Sequence, residues 1–155
     1  MTFASRFSKI PSKDISLTQD MLGIKPYSAT TDNICVSVWP EFIDHKLNSA
    51  DDLYVWAYHV IIENKSSTPI QLINRRWKII DEKGNIQEVS GEGVIGKKPT
   101  INPNSSFQYT SGTHLNYPSG IMSGTYEMKK NDEEFFDVEI PSFSLDIPNI
   151  KSSLN

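Results

Sequence analysis

A two-residue alternation of apolar side chains, repeated along most of the chain, restricts the possible folds more than any other feature. It is longest in Leu53–Asn64, where one face carries Tyr54, Trp56, Tyr58, Val60 and Ile62. Successive side chains of a β-strand point to opposite faces, so this pattern is typical of a strand with a buried face. No stretch of the chain shows a convincing 3.6-residue apolar period, which would indicate an amphipathic helix.

Further segments of the same kind recur along the chain, with turn-forming residues between them. They are Ile34–Val38, Ile70–Asp81, Ile86–Ser90, Phe107–Ser111, Met122–Met128 and Phe136–Ile140. Short strands at a spacing of about 8–12 residues predict an all-β fold, a two-sheet β-sandwich of the fibronectin type III or immunoglobulin type with roughly seven to nine strands. We expect Pro40 to end the first of these strands and residues 41–52 to form a long loop.

The alternation also predicts the core and one irregularity. Leu72 and Trp77 have opposite parity within one strand, so we expect a β-bulge near Asn74-Arg75 to bring both side chains inward. The predicted core consists of the residues on the inward rows: Val36, Val38, Tyr58, Val60, Ile62, Trp77, Ile79, Phe107, Tyr109, Tyr126, Phe136 and Val138.

A length of 155 residues fits one domain. We place it at residues 31–148. Residues 1–30 show no periodic apolar face, which predicts a flexible or loosely docked N-terminal extension that is dispensable for folding, and residues 149–155 form a C-terminal tail.

Charge and cysteine content limit the classes of partner. A net charge of −4 argues against general attraction to nucleic acid, and no apolar run approaches the ~20 residues of a membrane span. The single Cys35 excludes an internal disulfide, which favours a cytoplasmic protein, and its place in an alternating segment indicates a strand residue rather than a nucleophile.

The segment Gly91-Glu92-Gly93-Val94-Ile95-Gly96 matches the spacing G-x-G-x-x-G. A dinucleotide site requires a helix immediately after such a loop, whereas here Lys97-Lys98 leads into Pro99 and Pro103. Two interpretations stay open: the glycines permit a turn and close packing, or backbone N–H groups of the loop bind an anion beside the two lysines. The candidate anion-binding residues are Gly91, Gly93, Gly96, Lys97 and Lys98.

Other chemistry-bearing residues form no recognisable set. His45, His59 and His114 lack the spacing of metal ligands, and we expect His59 to be a half-exposed residue on an outward strand face. The acidic runs Asp51-Asp52 and 132–134 fall in predicted turns, where solvated acids are common. We therefore predict no catalytic residue, no metal site and no cofactor. In Arg75-Arg76, one side chain must point to solvent and the other could recognise a phosphate or carboxylate.

An ordered series of motifs resembles one protein family. The motifs are Tyr54-Val55-Trp56-Ala57-Tyr58, Ile62-Glu63-Asn64, Gln71-Leu72, Arg75-Arg76-Trp77-Lys78-Ile79, Gly91-Glu92-Gly93-Val94-Ile95-Gly96, Tyr109-Thr110-Ser111-Gly112, Gly120-Ile121-Met122-Ser123-Gly124-Thr125-Tyr126-Glu127-Met128 and Ile140-Pro141-Ser142-Phe143-Ser144-Leu145. Together, from about Thr31 to Pro148, they resemble the ApaG family. The basic Gly96-Lys97-Lys98-Pro99 departs from the Gly-Glu-Gln-Pro that many members carry, and the N-terminal extension is longer than in the typical bacterial form.

The resemblance implies a fibronectin-like β-sandwich with no catalytic residue set. ApaG-like domains are associated with cobalt and magnesium efflux, and a chain without a membrane span can contribute to efflux only indirectly. The resulting hypothesis is a non-enzymatic binding domain with an unidentified protein partner. The alternative is weak binding of phosphate, pyrophosphate or a nucleotide at the glycine-rich loop. A homodimer is compatible with either hypothesis.

Overall fold

The structure, a computed structural model, describes residues 24–47, 51–131 and 133–148. Those residues contain no helix. They form nine strands: β1 (Tyr27–Thr31), β2 (Ile34–Leu47), β3 (Asp52–Asn64), β4 (Ile70–Asp81), β5 (Ile86–Glu92), β6 (Thr100–Ile101), β7 (Ser105–Leu115), β8 (Gly120–Lys130) and β9 (Glu134–Ser144).

The strands build two antiparallel sheets that face each other. The four-stranded sheet has the order β1-β2-β3-β7, and the five-stranded sheet has the order β5-β4-β8-β9 with β6 paired to β4. This arrangement confirms the predicted fold class, an all-β two-sheet sandwich of the fibronectin type III kind.

The core lies between the sheets, on the inward rows that the alternation predicts. Phe107 and Phe136 are partly buried and pack against the core, and the other predicted core residues are buried. Trp77 lies near the centre, with its ring centroid 5.1 Å from that of Tyr58 and 6.1 Å from that of Phe143. Aromatic pairs at these separations add to the stabilisation that burial provides.

The predicted bulge is present one residue earlier than expected. The pairing of β4 with β8 shifts register between Leu72 and Asn74, which leaves Ile73 as the extra residue. The carbonyl of Ile73 instead accepts a hydrogen bond from the Gly93 N–H at 2.7 Å. The bulge therefore turns both Leu72 and Trp77 inward and holds the glycine-rich segment.

The predicted loop at residues 41–52 is wrong, because β2 continues past Pro40 to Leu47. β1 pairs with β2 only over residues 34–38, so Pro40 lies where β2 is an edge strand and a missing N–H breaks no ladder. β9 likewise continues through Pro141, which lies within the bulge between Ile140 and Phe143.

The N-terminal boundary predicted at residue 31 is too late. Tyr27–Thr31 forms β1 and pairs in register with β2, so a chain beginning at Thr31 would lose most of this strand. Residues 1–23 and 149–155 lie outside the described residues, and the predictions of an N-terminal extension and a C-terminal tail stay predictions there.

Candidate functional site

The glycine-rich segment forms a tight two-residue turn. Val94 and Lys97 exchange backbone hydrogen bonds of 2.8 and 2.9 Å, and the residues between them, Ile95 and Gly96, have φ values of 44° and 74°. Positive φ at both central positions is the signature of a type I′ hairpin turn. Val94 is buried in the core cluster, so it anchors the turn to the sandwich.

Gly93 occupies a position that only glycine fits. Its φ is 61°, and a Cβ built there would lie 2.2 Å from the carbonyl oxygen of Lys97. Its N–H is already donated to Ile73. The need for glycine at this position is thus conformational and steric, independent of any ligand.

The turn uses several of the donors that an anion site would require. The N–H groups of Gly93, Val94 and Lys97 all donate to backbone carbonyls. Lys97 and Lys98 are exposed, and the Lys98 ammonium lies 3.3 Å from a carboxylate oxygen of Glu92. Of the candidate anion-binding residues, the structure places Gly93, Gly96, Lys97 and Lys98 in or beside the turn, with the lysine charges as its most accessible cationic groups.

Gly91 lies instead within β5, where it pairs with Arg75 and allows the Arg75 guanidinium to pack closely against it. One terminal nitrogen of that guanidinium donates to the carbonyls of Glu92 and Gly93, at 2.9 and 2.8 Å. Arg76 points the other way and is exposed, 3.5 Å from Asp137. The sequence could have assigned the Arg75 side chain to the inward face. Beyond the bulge, Arg75 alternates in step with Trp77 and Ile79, which both point inward.

A cluster of tyrosines lies between the sheets near Arg75. The hydroxyls of Tyr109 and Tyr126 are 2.5 Å apart, and Tyr58 is hydrogen-bonded to Ser111. Burial raises the pKa of all three phenols, and for Tyr58 the Ser111 hydrogen bond and the Arg75 charge oppose part of that rise. The cluster is therefore uncharged at neutral pH.

We expect Tyr58, Tyr109 and Tyr126 to stay protonated at alkaline pH until the chain unfolds. The unfolded phenols lose their protons near pH 10, below the raised pKa of the folded ones, so this contribution to stability is present below about pH 10 and is lost above it. Phenolate absorbance and circular dichroism should be followed in one alkaline titration. Ionisation of all six tyrosines before the dichroism changes would contradict the burial.

β5 is an edge strand of the five-stranded sheet. Six of its seven residues are exposed, including Ile86 at 59% and Val89 at 37%, and only Gly91 is half-buried. At the opposite edge, β9 packs against β1 and β2, and the Glu139 N–H donates to the Thr31 hydroxyl. One side of the sandwich is thus closed, and the side that carries β5 offers an accessible strand edge.

The predicted exposure of His59 is wrong. Its side chain is 3% exposed, with Nδ1 at 2.8 Å from the Thr110 hydroxyl and Nε2 at 2.9 Å from Glu41. His45 stacks on Tyr54 and lies 3.7 Å from Asp52. His114 is exposed on β7.

Within the described ranges, no group of three or more histidine, cysteine, aspartate or glutamate side chains is arranged to hold a metal ion. None of the helices that a membrane crossing would need occurs in residues 24–47, 51–131 or 133–148. Cys35 is a half-buried residue of β2, as its position in an alternating segment predicts.

Comparison with known proteins agrees with this architecture. The ApaG domain family matches residues 44–130. Protein ApaG of Paramagnetospirillum magneticum is 50% identical over 129 residues, covering 83% of this chain and 99% of the relative. Protein ApaG of Brucella abortus is 46% identical over the same length and coverage.

Solved structures show the same fold. The putative ApaA protein from Bordetella pertussis superposes with a TM-score of 0.70 at 39% identity, covering 81% of this chain and 98% of the other. A structural genomics target solved by X-ray crystallography gives a TM-score of 0.74 at 40% identity, covering 79% and 92%. The molecule is thus a fibronectin type III-like β-sandwich with a glycine-rich hairpin turn beside an accessible strand edge. The chain belongs to the ApaG family.

Proposed function

We propose that this chain is a non-enzymatic ApaG-type binding domain of the cytoplasm that engages another protein through the edge of β5. The observation that carries the proposal is the exposure of β5 along its length at the open side of the sandwich. An edge strand presents backbone donors and acceptors to which an extended segment of a partner can pair, and the flanking side chains select that segment.

The side chains of β5 suit such a contact. Ile86 and Val89 supply exposed apolar surface, whereas Glu88 and Glu92 supply negative charge. An extended partner segment with apolar residues and a positive charge would complement both. We propose that the association of ApaG-like proteins with cobalt and magnesium efflux acts here through a protein contact of this kind, with no metal or cofactor held by the domain.

The edge proposal is tested by placing charge on β5 without disturbing the core. In the double variant Ile86→Lys/Val89→Lys, we expect the affinity for a native protein partner to fall at least about tenfold, or ~1.4 kcal/mol. Partners retained by the immobilised wild-type chain would be identified by mass spectrometry and their affinities then measured with purified proteins.

Ile121→Lys is the matched control, because Ile121 is exposed to a similar extent, 53%, but lies on β8. The control should bind like the wild-type chain. Equal binding by the β5 variant, with its circular dichroism unchanged, would overturn the proposed contact.

A second candidate function is weak anion binding at the glycine-rich turn, favoured by the exposed Lys97 and Lys98 beside it. Since three N–H groups of the turn are already used, affinity would depend mainly on the lysine charges. Binding would be unselective among polyphosphates and sensitive to salt.

The anion candidate makes its own prediction, for pyrophosphate measured by calorimetry. Lys97→Gln/Lys98→Gln should abolish binding with little effect on the melting temperature, because exposed charges contribute little to stability. Lys129→Gln/Lys130→Gln removes two consecutive lysines from β8 and should leave binding unchanged. Unchanged binding in the turn variant would exclude this site.

A further inference from the structure

The guanidinium of Arg75 uses only part of its hydrogen-bonding capacity. A guanidinium carries five N–H donors, and the two on Nη1 are donated to the carbonyls of Glu92 and Gly93 at 2.9 and 2.8 Å. The Nε–H and the N–H groups of Nη2 have no partner among the residues that the structure describes. Because Nη2 lies on the side of the guanidinium that carries the Nε–H, these two nitrogens present the parallel donors that a carboxylate accepts.

The charge of Arg75 is not balanced by an acid. No carboxylate of the described ranges is ion-paired with it, whereas its neighbour Arg76 points to the opposite face of the sheet and lies 3.5 Å from Asp137. The phenols of the tyrosine cluster interact with the Arg75 charge, but burial keeps them protonated and they supply no negative charge. Arg75 therefore places an unbalanced positive charge on the inner side of the sheet.

This charge lies where the inner side of the sheet becomes accessible. Gln87, Val89 and Gly91 have inward parity, because each pairs with an inward residue of β4. Gln87 and Val89 are nevertheless exposed, and Gly91 and Arg75 are half-buried. The four-stranded sheet thus leaves the inner face of β5 uncovered beside Arg75.

β7 forms the opposite wall of this opening. At one end, Ile86 and Gln87 of β5 and His114 and Leu115 of β7 line a cavity of about 200 Å³. At the Arg75 end, β7 contributes Ser111, which is hydrogen-bonded to a tyrosine of the cluster. A cleft between β5 and β7 therefore runs along the open side of the sandwich to the free donors of Arg75.

The guanidinium is held in place before a ligand binds. Two carbonyls fix its Nη1, and a Cβ at Gly91 would lie only 2.9 Å from Nη2, so the glycine allows the close packing. A side chain that is already ordered loses less entropy on binding than a mobile surface arginine. We propose that Arg75 anchors a carboxylate-binding site in the cleft between β5 and β7, with the ligand oxygens accepting from Nε and Nη2.

The single charge favours a monoanion. A carboxylate neutralises one guanidinium, whereas a phosphate dianion would keep an unpaired negative charge beside the uncharged tyrosine cluster. The site goes beyond the two proposed functions, since pairing at the edge of β5 uses its backbone groups and anion binding at the turn uses the charges of Lys97 and Lys98. A small organic acid and the C-terminus of a peptide both present a carboxylate.

Titration of the full-length ¹⁵N-enriched chain with sodium acetate tests the site, with sodium chloride at equal ionic strength as the reference. The Nε–H signal of Arg75, assigned by its loss in Arg75→Lys, should shift saturably together with the amide signals of Gly91 and Ser111. The Nε–H signal of Arg76 should behave as in chloride. A response of Arg75 that equals the chloride reference would overturn the proposal, and this measurement is independent of the stability of any variant.

Arg75→Lys keeps the charge and removes the paired donors, so the affinity for acetate should fall about fivefold or more. Arg76→Lys is the matched control and should bind acetate like the wild-type chain. Lys97→Gln/Lys98→Gln should also bind it normally, which separates this site from the turn. Unchanged acetate affinity in Arg75→Lys would overturn the proposal.

A short peptide, acetyl-Ala-Val-Ala with a free or an amidated C-terminus, distinguishes the two sources of carboxylate. Tighter binding of the free acid than of acetate would support the site and assign it to a peptide C-terminus. Equal binding of the free acid and acetate would support it as a site for small organic acids. Binding of the amide as tight as that of the free acid, or preference for inorganic phosphate over acetate at Arg75, would overturn the proposal.

Discussion

Replacing Trp77 with alanine should destabilise the domain by about 3–5 kcal/mol, because it leaves a large cavity at the centre of the core. Trp77 is 4% exposed and its ring contacts those of Tyr58, Tyr126 and Phe143. At about 2–4 °C per kcal/mol for a chain of this size, the melting temperature should fall by roughly 6–20 °C. Thermal and urea unfolding, followed by circular dichroism, would measure the loss.

Trp77→Phe is the appropriate control, since it keeps an aromatic ring at the contact and removes an indole N–H that has no acceptor among the described residues. Its loss of stability should be clearly smaller than that of Trp77→Ala. A Trp77→Ala variant that melts within a degree or two of the wild-type chain would show that the side chain is not part of the core.

Gly93→Ala should destabilise the domain more than Gly96→Ala, although both glycines have positive φ. The two alanines share a conformational cost of about 1–2 kcal/mol. At Gly96 a Cβ meets nothing within 4 Å, whereas at Gly93 it would lie 2.2 Å from the Lys97 carbonyl oxygen. Overpacking of this kind costs typically 1–3 kcal/mol more. Urea unfolding of the two variants would measure the difference.

The pair also separates the cost of positive φ from the cost of the close approach at Gly93. Gly96→Ala should retain the fold with a modest loss of stability, while Gly93→Ala should show a much earlier unfolding midpoint. Equal losses of stability in the two variants would mean that the turn relaxes to accept a Cβ at Gly93. The close approach to the Lys97 carbonyl would then cost no measurable stability.

The interior of the sandwich was largely predictable because its signals are local. A strand facing a core must alternate, so Tyr58, Val60 and Ile62 could be assigned to one face without knowledge of their partners. The bulge was predictable for a similar reason, since Leu72 and Trp77 could both turn inward only if one residue were added between them.

The edges of the sheets were less predictable. A proline ends a strand only if its missing N–H faces a neighbour, and whether Pro40 has such a neighbour depends on where β1 stops. The short segment that became β1 likewise has no periodic apolar signal of its own, because most of its residues are exposed and its pairing with β2 defines it.

The glycine-rich turn was likewise predictable in part. The spacing of the glycines, with Pro99 and Pro103 beyond them, was sufficient to exclude a dinucleotide loop and to suggest a turn. The Val94 and Lys97 N–H groups are used within the turn itself. The donation of the Gly93 N–H to Ile73 and the placement of Arg75 beneath the turn depend instead on contacts between segments far apart in sequence.

By itself, the sequence determined the fold class, the inward rows of the strands and the family, since alternation and ordered motifs are properties of consecutive residues. Only the tertiary structure decided which outward residues meet solvent. His59 and Trp39 have the parity of exposed residues and are buried, because exposure depends on what lies above a strand face and parity specifies only which face a side chain occupies.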